Sequence, residues 1–126
     1  MALDAVGTET VPLLVCLTEL MYVIVWKYEV LADSEVDFRF AYGPDGDWAR
    51  LFARHDGFVG TELITTDDQA RHYFTIDRWD NEKSFNACMA LDHEEYTRLD
   101  HQFEALTVSE ELVGRGCSLE FGDSGP

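Results

Sequence analysis

Residues 21–31 read Met-Tyr-Val-Ile-Val-Trp-Lys-Tyr-Glu-Val-Leu, and the rest of the architecture is inferred outward from this segment. β-Branched and aromatic residues at this density pack well on a pleated sheet, so the segment predicts a first β-strand. Alternate residues of a strand point to opposite faces, and both alternating sets here are mostly apolar. We therefore expect a sheet that is covered on both faces.

After this strand the sequence predicts one helix that is broken and restarted. Ser34, followed by Asp37, resembles a helix start. The predicted apolar face of this helix consists of Val36, Phe40 and Ala41. Turn residues fill positions 42–46, and Asp47 can cap a second segment. The apolar residues of that segment are Trp48, Leu51 and Phe52.

The second half of the chain predicts a hairpin, two helical stretches and a last strand. The hairpin strands are expected over residues 58–66 and 71–79, and Asp80 or Asn81 is expected to cap the following helix. The helical stretches carry the apolar residues Phe85, Cys88, Met89, Tyr96, Leu99, Phe103 and Leu106. The last strand is expected over residues 112–121. The order β-α-β-β-α-β predicts an α+β, ferredoxin-like split βαβ fold with an antiparallel sheet.

Composition excludes several classes of partner. The chain has 126 residues, which is typical of one domain. Nine basic and 25 acidic residues give a formal net charge of −16, which repels nucleic acid and anionic membranes. Cys16, Cys88 and Cys117 are odd in number and lack metal-site spacing, which favours a reducing compartment and a cytoplasmic protein.

The two ends of the chain are expected to lie outside this domain. In residues 1–20 no positive charge precedes the apolar run and Glu19 interrupts it, which excludes a signal peptide and a membrane span. We predict an N-terminal arm or extra edge strand over residues 1–20, a domain over residues 21–121 and a frayed tail over residues 122–126. Translation from Met21 is the open alternative for the first segment.

Three segments resemble the antibiotic biosynthesis monooxygenase (ABM) domain family, a dimeric α/β-barrel superfamily. They are residues 21–26 (Met-Tyr-Val-Ile-Val-Trp), 56–63 (Asp-Gly-Phe-Val-Gly-Thr-Glu-Leu) and 75–80 (Thr-Ile-Asp-Arg-Trp-Asp). The resemblance extends over residues 21–121. It implies a homodimer, as the apolar strand faces also do. It also implies either cofactor-independent oxidation of anthrones or hydroquinones by molecular oxygen, or the binding and degradation of haem.

The resemblance also implies site residues. Polyketide-oxidising members carry an Asn four residues before a strand-end Trp and a Tyr six residues after it. The Trp corresponds to Trp79, whereas the Asn and Tyr positions hold Thr75 and Phe85, and a helical Arg of those enzymes corresponds to Arg98. In haem-degrading members a first-strand Asn and a helical His act. Their positions fall at Lys27 and near Asp100 or His101.

The strand before the third helix supplies the strongest candidates by its own pattern. Tyr73, Thr75, Asp77 and Trp79 share one strand face, which predicts a pocket floor. Trp79 offers a stacking wall and an N–H donor, Thr75 a hydroxyl, and Asp77 a carboxyl whose pKa rises if it is buried. The alternative is that Trp79 is a core residue and that Asp77 pairs with an Arg.

We therefore predict Trp79, Thr75, Asp77 and Arg98 as catalytic residues. The predicted substrate-binding residues are Tyr73, Phe85, His101 and Lys27. The four histidines are scattered, so no metal is expected, and no cofactor is required. The expected function is a cofactor-independent monooxygenase acting with oxygen on a small phenolic, anthrone or hydroquinone-type aromatic. The alternatives are a non-catalytic barrel that binds a small ligand or partner, and a haem-binding protein that uses His101.

Overall fold

The computed structural model of the chain describes residues 21–119, which form a four-stranded antiparallel sheet with helices on one face. The strands are β1 (Tyr22–Val30), β2 (Phe58–Thr65), β3 (His72–Trp79) and β4 (Thr107–Cys117). The helices are α1 (Glu35–Tyr42), α2 (Asp47–Phe52), α3 (Glu82–Leu91) and α4 (His93–Phe103), with short 3-10 turns at Ala32–Ser34 and Glu104–Leu106. The strand order is β2-β3-β1-β4. The predicted α+β, ferredoxin-like split βαβ fold is confirmed.

The core lies between one face of the sheet and the helices. Along β1 and β3 every second side chain is buried, as the two-residue period of a strand requires. Aromatic residues dominate this inner face, and Phe38 of α1 packs its ring 5.2 Å from Tyr28 and 5.0 Å from Tyr73. The buried residues of the four helices include Phe38, Tyr42, Trp48, Phe52, Phe85, Met89, Tyr96 and Leu99.

The opposite face of the sheet, here named the open face, carries the other alternating set. Val23 and Val25 of β1 lie across from Arg78 and Ile76 of β3, and Lys27 lies across from Phe74. All six side chains are half-buried, because no helix of the described segment covers them. Within residues 21–119, therefore, helices cover only the inner face of the sheet.

The predicted inward face of α1 was wrong. Val36 is 80% exposed and Phe40 is 72% exposed, whereas Phe38, Ala41 and Tyr42 are buried. Both sets have helical spacing, so periodicity alone could not choose between them. The aromatic contacts choose, because Phe38 stacks on Tyr42 at 4.3 Å and faces the rings of the sheet.

One cap and the last strand differ in detail from expectation, and one cap is confirmed. α2 begins at Asp47 with Gly46, not Asp47, as its N-cap. α3 is capped by Asn81, one of the two predicted residues, whose Oδ1 accepts a 2.8 Å hydrogen bond from the Ser84 N–H. The last strand begins at Thr107 instead of residue 112 and ends at Cys117. Its polar first half lacks side-chain alternation, and the pairing of Val30 with Thr107 and of Glu29 with Ser109 makes it part of the strand.

Some expectations lie outside the described residues. They are the arm over residues 1–20, the tail over residues 122–126 and the predicted strand residue Phe121. None of the helices within residues 21–119 has the length and apolarity to cross a bilayer. Cys88 is a buried free thiol.

Candidate functional site

The inner row of β3 places its four predicted residues in the core. Tyr73, Thr75, Asp77 and Trp79 are all buried, and all four point to the helix side of the sheet. Thr75 and Asp77 are the buried polar residues of this region. The predicted shared face is therefore correct, and the polar pair lies at the middle of the row.

Asp77 is the unusual residue of this row, because it carries a carboxyl group and is only 3% exposed. The Thr61 hydroxyl, from the neighbouring strand β2, donates a 2.6 Å hydrogen bond to Asp77 Oδ1. Burial penalises the charged form and raises the pKa of Asp77 to about 6, while the Thr61 hydrogen bond works in the opposite direction. The group can thus gain or lose a proton near neutral pH, as a general acid or base must.

Two tryptophans that neighbour Asp77 in the sheet carry indole N–H groups without a hydrogen-bond acceptor. The Nε1 atoms of Trp79 and Trp26 are buried and find no partner among the described residues. Trp79 is two residues from Asp77 on the same strand face, and Trp26 lies opposite Thr75 on β1, diagonally next to Asp77. Unpaired buried donors are costly and rare in folded proteins, so they mark a place where a further acceptor fits. We name the five residues Asp77, Thr61, Thr75, Trp79 and Trp26 the Asp77 cluster.

Aromatic rings form the wall next to the cluster. The Trp79 ring lies 5.1 Å from Phe58, 5.7 Å from Phe52 and 5.8 Å from Phe85. Phe85 is therefore packed directly on Trp79. On the other side, the Thr75 hydroxyl lies 3.4 Å from the Tyr28 hydroxyl, to which it donates. Burial raises the pKa of Tyr28 well above its ordinary value, so Tyr28 stays protonated.

Tyr73 ends the row away from Trp79 and contacts α1. Its hydroxyl donates a 2.6 Å hydrogen bond to Glu35 and accepts a 2.7 Å hydrogen bond from Arg39 Nε. The Arg39 guanidinium also lies 5.3 Å from the centre of the Tyr73 ring. These contacts tie α1 to the sheet, and they leave the Tyr73 hydroxyl with both of its hydrogen-bonding roles filled.

Three of the residues implied by the family resemblance lie elsewhere. Arg98 is on α4, 59% exposed, where it pairs with Glu95 and donates to Gln102. The His101 side chain is 74% exposed, 3.8 Å from Glu104. Lys27 is on the open face. The structure brings Thr75, Asp77, Trp79 and Phe85 together and leaves Arg98, His101 and Lys27 outside.

Surface clefts also lie away from the Asp77 cluster. Arg98 lines a cleft of about 200 Å³ with Arg50 and Arg54, and another of about 440 Å³ is lined by residues that include His55, Lys83 and Ser84. Neither is lined by a residue of the cluster. Within residues 21–119, no three His, Cys, Asp or Glu side chains converge as metal ligands do.

Two members of the cluster, Thr61 and Trp26, were not singled out from the sequence. Their strands were recognised, but their roles depend on register. Thr61 lies opposite Asp77, and Trp26 lies opposite Thr75. Alternation assigns each of them a face, and only the strand pairing shows which side chains become neighbours.

The fold is shared with solved oxygenase structures. SnoaB from Streptomyces nogalater, a cofactor-independent oxygenase, matches over 81% of this chain and 96% of its own chain, with a TM-score of 0.60 and 22% identity. A protein of Nitrosomonas europaea named for antibiotic biosynthesis monooxygenase matches with a TM-score of 0.61 and 15% identity, over 81% of this chain and 93% of its own.

A third structure contains a porphyrin. A single-substitution variant of MhuD, with two manganese protoporphyrin IX molecules per active site, matches over 80% of this chain and 98% of its own, with a TM-score of 0.56 and 21% identity. No protein-family model and no curated relative matches the chain. The family resemblance seen in the sequence is thus confirmed at the level of architecture: this chain has the ferredoxin-like fold of the antibiotic biosynthesis monooxygenase structures.

Proposed function

We propose that the protein is a cofactor-independent monooxygenase that oxidises a small phenolic, anthrone or hydroquinone-type aromatic with molecular oxygen at the Asp77 cluster. One observation carries the proposal: a buried aspartate neighbours, in the sheet, two buried tryptophans whose indole N–H groups have no acceptor among the described residues. Such a set can accept a proton from a hydroxyaromatic and donate hydrogen bonds to the oxygen atoms on which charge develops.

The proposed reaction requires the protein to transfer a proton and to stabilise the charge that develops on the substrate. The Asp77 carboxylate accepts a proton from the substrate, and the resulting electron-rich anion reduces oxygen. For an anthrone, one oxygen atom becomes the new carbonyl oxygen and the other leaves as water, with the two hydrogens of the oxidised carbon. The Trp79 ring, held by Phe52, Phe58 and Phe85, supplies the apolar wall against which a flat substrate stacks.

Oxygen uptake tests this proposal directly. Metal-free protein is given an anthrone and a simple hydroquinone, and uptake is compared with spontaneous oxidation. We expect uptake above background, about a hundredfold loss in Asp77→Asn because the proton acceptor is removed, and a loss of at least about tenfold in Trp79→Phe. Trp48→Phe makes the same ring replacement outside the cluster and retains uptake. Background rates on both substrates for the unaltered protein would contradict the proposal.

The second candidate function is a non-catalytic module that binds an apolar ligand. Thr75 and Phe85 favour it, because they replace the Asn and Tyr of the polyketide-oxidising relatives, and the cluster is closed to solvent. This function predicts saturable binding of an aromatic without oxygen uptake. Trp79→Phe would then lower ligand affinity or stability and leave uptake at background.

Haem does not fit the described residues. His101, the residue that the family resemblance offers as its ligand, has an exposed side chain on α4 and is not part of the Asp77 cluster. Lys27, the other offered position, points to the open face.

We also propose that the protein is a homodimer through the open face. Its half-buried apolar residues are Val23, Val25, Phe74 and Ile76, of which Val25 and Ile76 form a direct cross-strand pair. An exposed apolar sheet surface of this kind is typical of an interface. A second copy of the same face is self-complementary under two-fold symmetry, so one patch can supply both halves of the contact.

A further inference from the structure

We propose that Trp26 is a second hydrogen-bond donor to the ligand of the Asp77 cluster, so that the site takes a flat aromatic carrying two oxygen acceptors. This inference rests on the proposed function, and it adds a binding residue that neither the sequence pattern nor the family resemblance had assigned.

The Trp26 indole carries a buried hydrogen-bond donor. The residue is only 3% exposed, and its N–H has no acceptor among residues 21–119. A neighbouring ring, Tyr28, stacks at 6.4 Å and offers a face, not an acceptor in plane. A buried donor without a partner costs free energy, and a ligand oxygen that accepts from it removes this cost.

The position of Trp26 in the sheet relative to Asp77 and Trp79 also favours this role. Trp26 faces Thr75 across the β1–β3 pair and lies diagonally next to Asp77, while Trp79 follows Asp77 by two residues on the same face. Trp26 and Trp79 therefore lie on opposite sides of Asp77 along the strand direction. A ligand that gives its proton to Asp77 and lies along the strand has one end towards each indole. Two oxygen atoms, one at each end, match this set of donors.

Trp48 supplies the contrast that makes the inference testable. The Trp48 indole is also buried, but the residue is on α2, next to Tyr42 and packed against Tyr96 at 5.0 Å and Phe52 at 6.0 Å. It has no place in the sheet and no carboxyl of the cluster beside it. Replacement of Trp48 by Phe therefore removes the same atoms from the same core at a place where no ligand is expected.

The experiment measures binding of 1-hydroxyanthraquinone by equilibrium dialysis, because this probe carries oxygen acceptors at both edges and does not turn over. We expect saturable binding to the unaltered protein, about tenfold weaker binding to Trp26→Phe, and less than about a twofold change in Trp48→Phe. A third variant, with β-(3-benzothienyl)alanine in place of Trp26, keeps the double ring and lacks the N–H. It is expected to bind as weakly as Trp26→Phe, even if the smaller ring of the Phe variant disturbs folding.

Three results would overturn the inference: no binding by the unaltered protein, equal losses in Trp26→Phe and Trp48→Phe, or unimpaired binding by the benzothienyl variant. Oxygen uptake is measured separately on the same preparations. Trp26-dependent binding without uptake would reject the oxygenase and keep the two-donor site, so the two proposals fail in different measurements.

Discussion

Asp77 shows how one buried residue links stability to chemistry. The unfolded chain releases the Asp77 proton near the ordinary aspartate pKa of 3.8, whereas the folded chain raises that pKa to about 6. Between these values the native state binds more protons than the unfolded state, so the contribution of Asp77 to stability falls as pH rises. The full cost of the buried charge is present above pH 6. A site that must accept a proton is therefore a site that weakens the fold.

This cost predicts the pH dependence of Asp77→Asn. Relative to the variant, the free energy of unfolding of the unaltered protein should decrease by up to about 3 kcal/mol between about pH 4 and pH 6, and then stay level. Urea denaturation at several pH values measures the difference. The two proteins must be compared at each pH, because other groups also make the stability depend on pH. One of them is Asp92: its hydrogen bond with His55 holds its pKa below the usual value, so the contribution of Asp92 to stability falls as pH falls.

The control for this prediction is Asp80→Asn, which makes the same change just after β3. Asp80 is exposed, so this substitution removes no buried carboxyl and should not reproduce the fall expected for Asp77→Asn. If the Asp77→Asn difference were flat, Asp77 would not change its protonation in that range, and its role as proton acceptor near neutral pH would be lost.

The candidate site was predictable only where one strand sufficed. The two-residue period put Thr75, Asp77 and Trp79 on one face, and that is where they lie. Thr61 and Trp26 entered only with the register of β2 and β1, which no local pattern encodes. Arg98 was assigned by analogy with a helical position, and its side chain turned out to be exposed. A helix residue moves to another face with each step along the chain, so an offset of one residue is enough to misplace it.

At the scale of elements, strands were more predictable than helix faces. β1 and β3 carry long apolar or alternating runs, and their observed bounds differ by at most one residue from those expected. α1 has apolar residues on two faces, so its orientation depended on which face found aromatic partners on the sheet. The polar first half of β4 lies at the sheet edge, where backbone pairing needs no apolar alternation.

The start of α3 gives a prediction at this scale. Asn81 satisfies the Ser84 N–H at the helix N-terminus, and α3 carries Phe85, which packs on Trp79. Asn81→Ala should lower the free energy of unfolding by about 1 kcal/mol, because an N-terminal N–H loses its acceptor. Urea denaturation checks this value. Asn86→Ala, inside the same helix, makes the same side-chain change without a cap and should cost less than half as much. Equal effects would show that the cap contributes nothing.

At the scale of the whole molecule, the open face of the sheet carries glycines within its strands. Gly60, Gly114 and Gly116 are strand residues, and a Cβ built on any of them would meet no atom within 4 Å. Neither a crowded neighbour nor a left-handed backbone therefore requires glycine at these positions. Gly114 and Gly116 lie opposite Val25 and Val23, and Gly60 pairs with Arg78. Glycine within a strand costs stability, and it often marks a place where another backbone or ligand approaches closely.

The glycines thus turn the proposed homodimer into a sharp prediction. Gly114→Val adds a β-branched side chain that has free space within one chain, so the fold of the subunit should be unharmed or slightly stabilised. Between two apposed sheets, the same side chain occupies the space that the glycine leaves for the facing sheet. The two sheets can then no longer approach closely. We expect the unaltered protein to sediment at twice its chain mass of 14.4 kDa and Gly114→Val to sediment largely at the chain mass. Phe40→Ser, which removes an exposed ring from α1 on the helix side, should stay dimeric. A dimer that survives Gly114→Val but dissociates in Phe40→Ser would place the contact on the helices and leave the open face free for another partner.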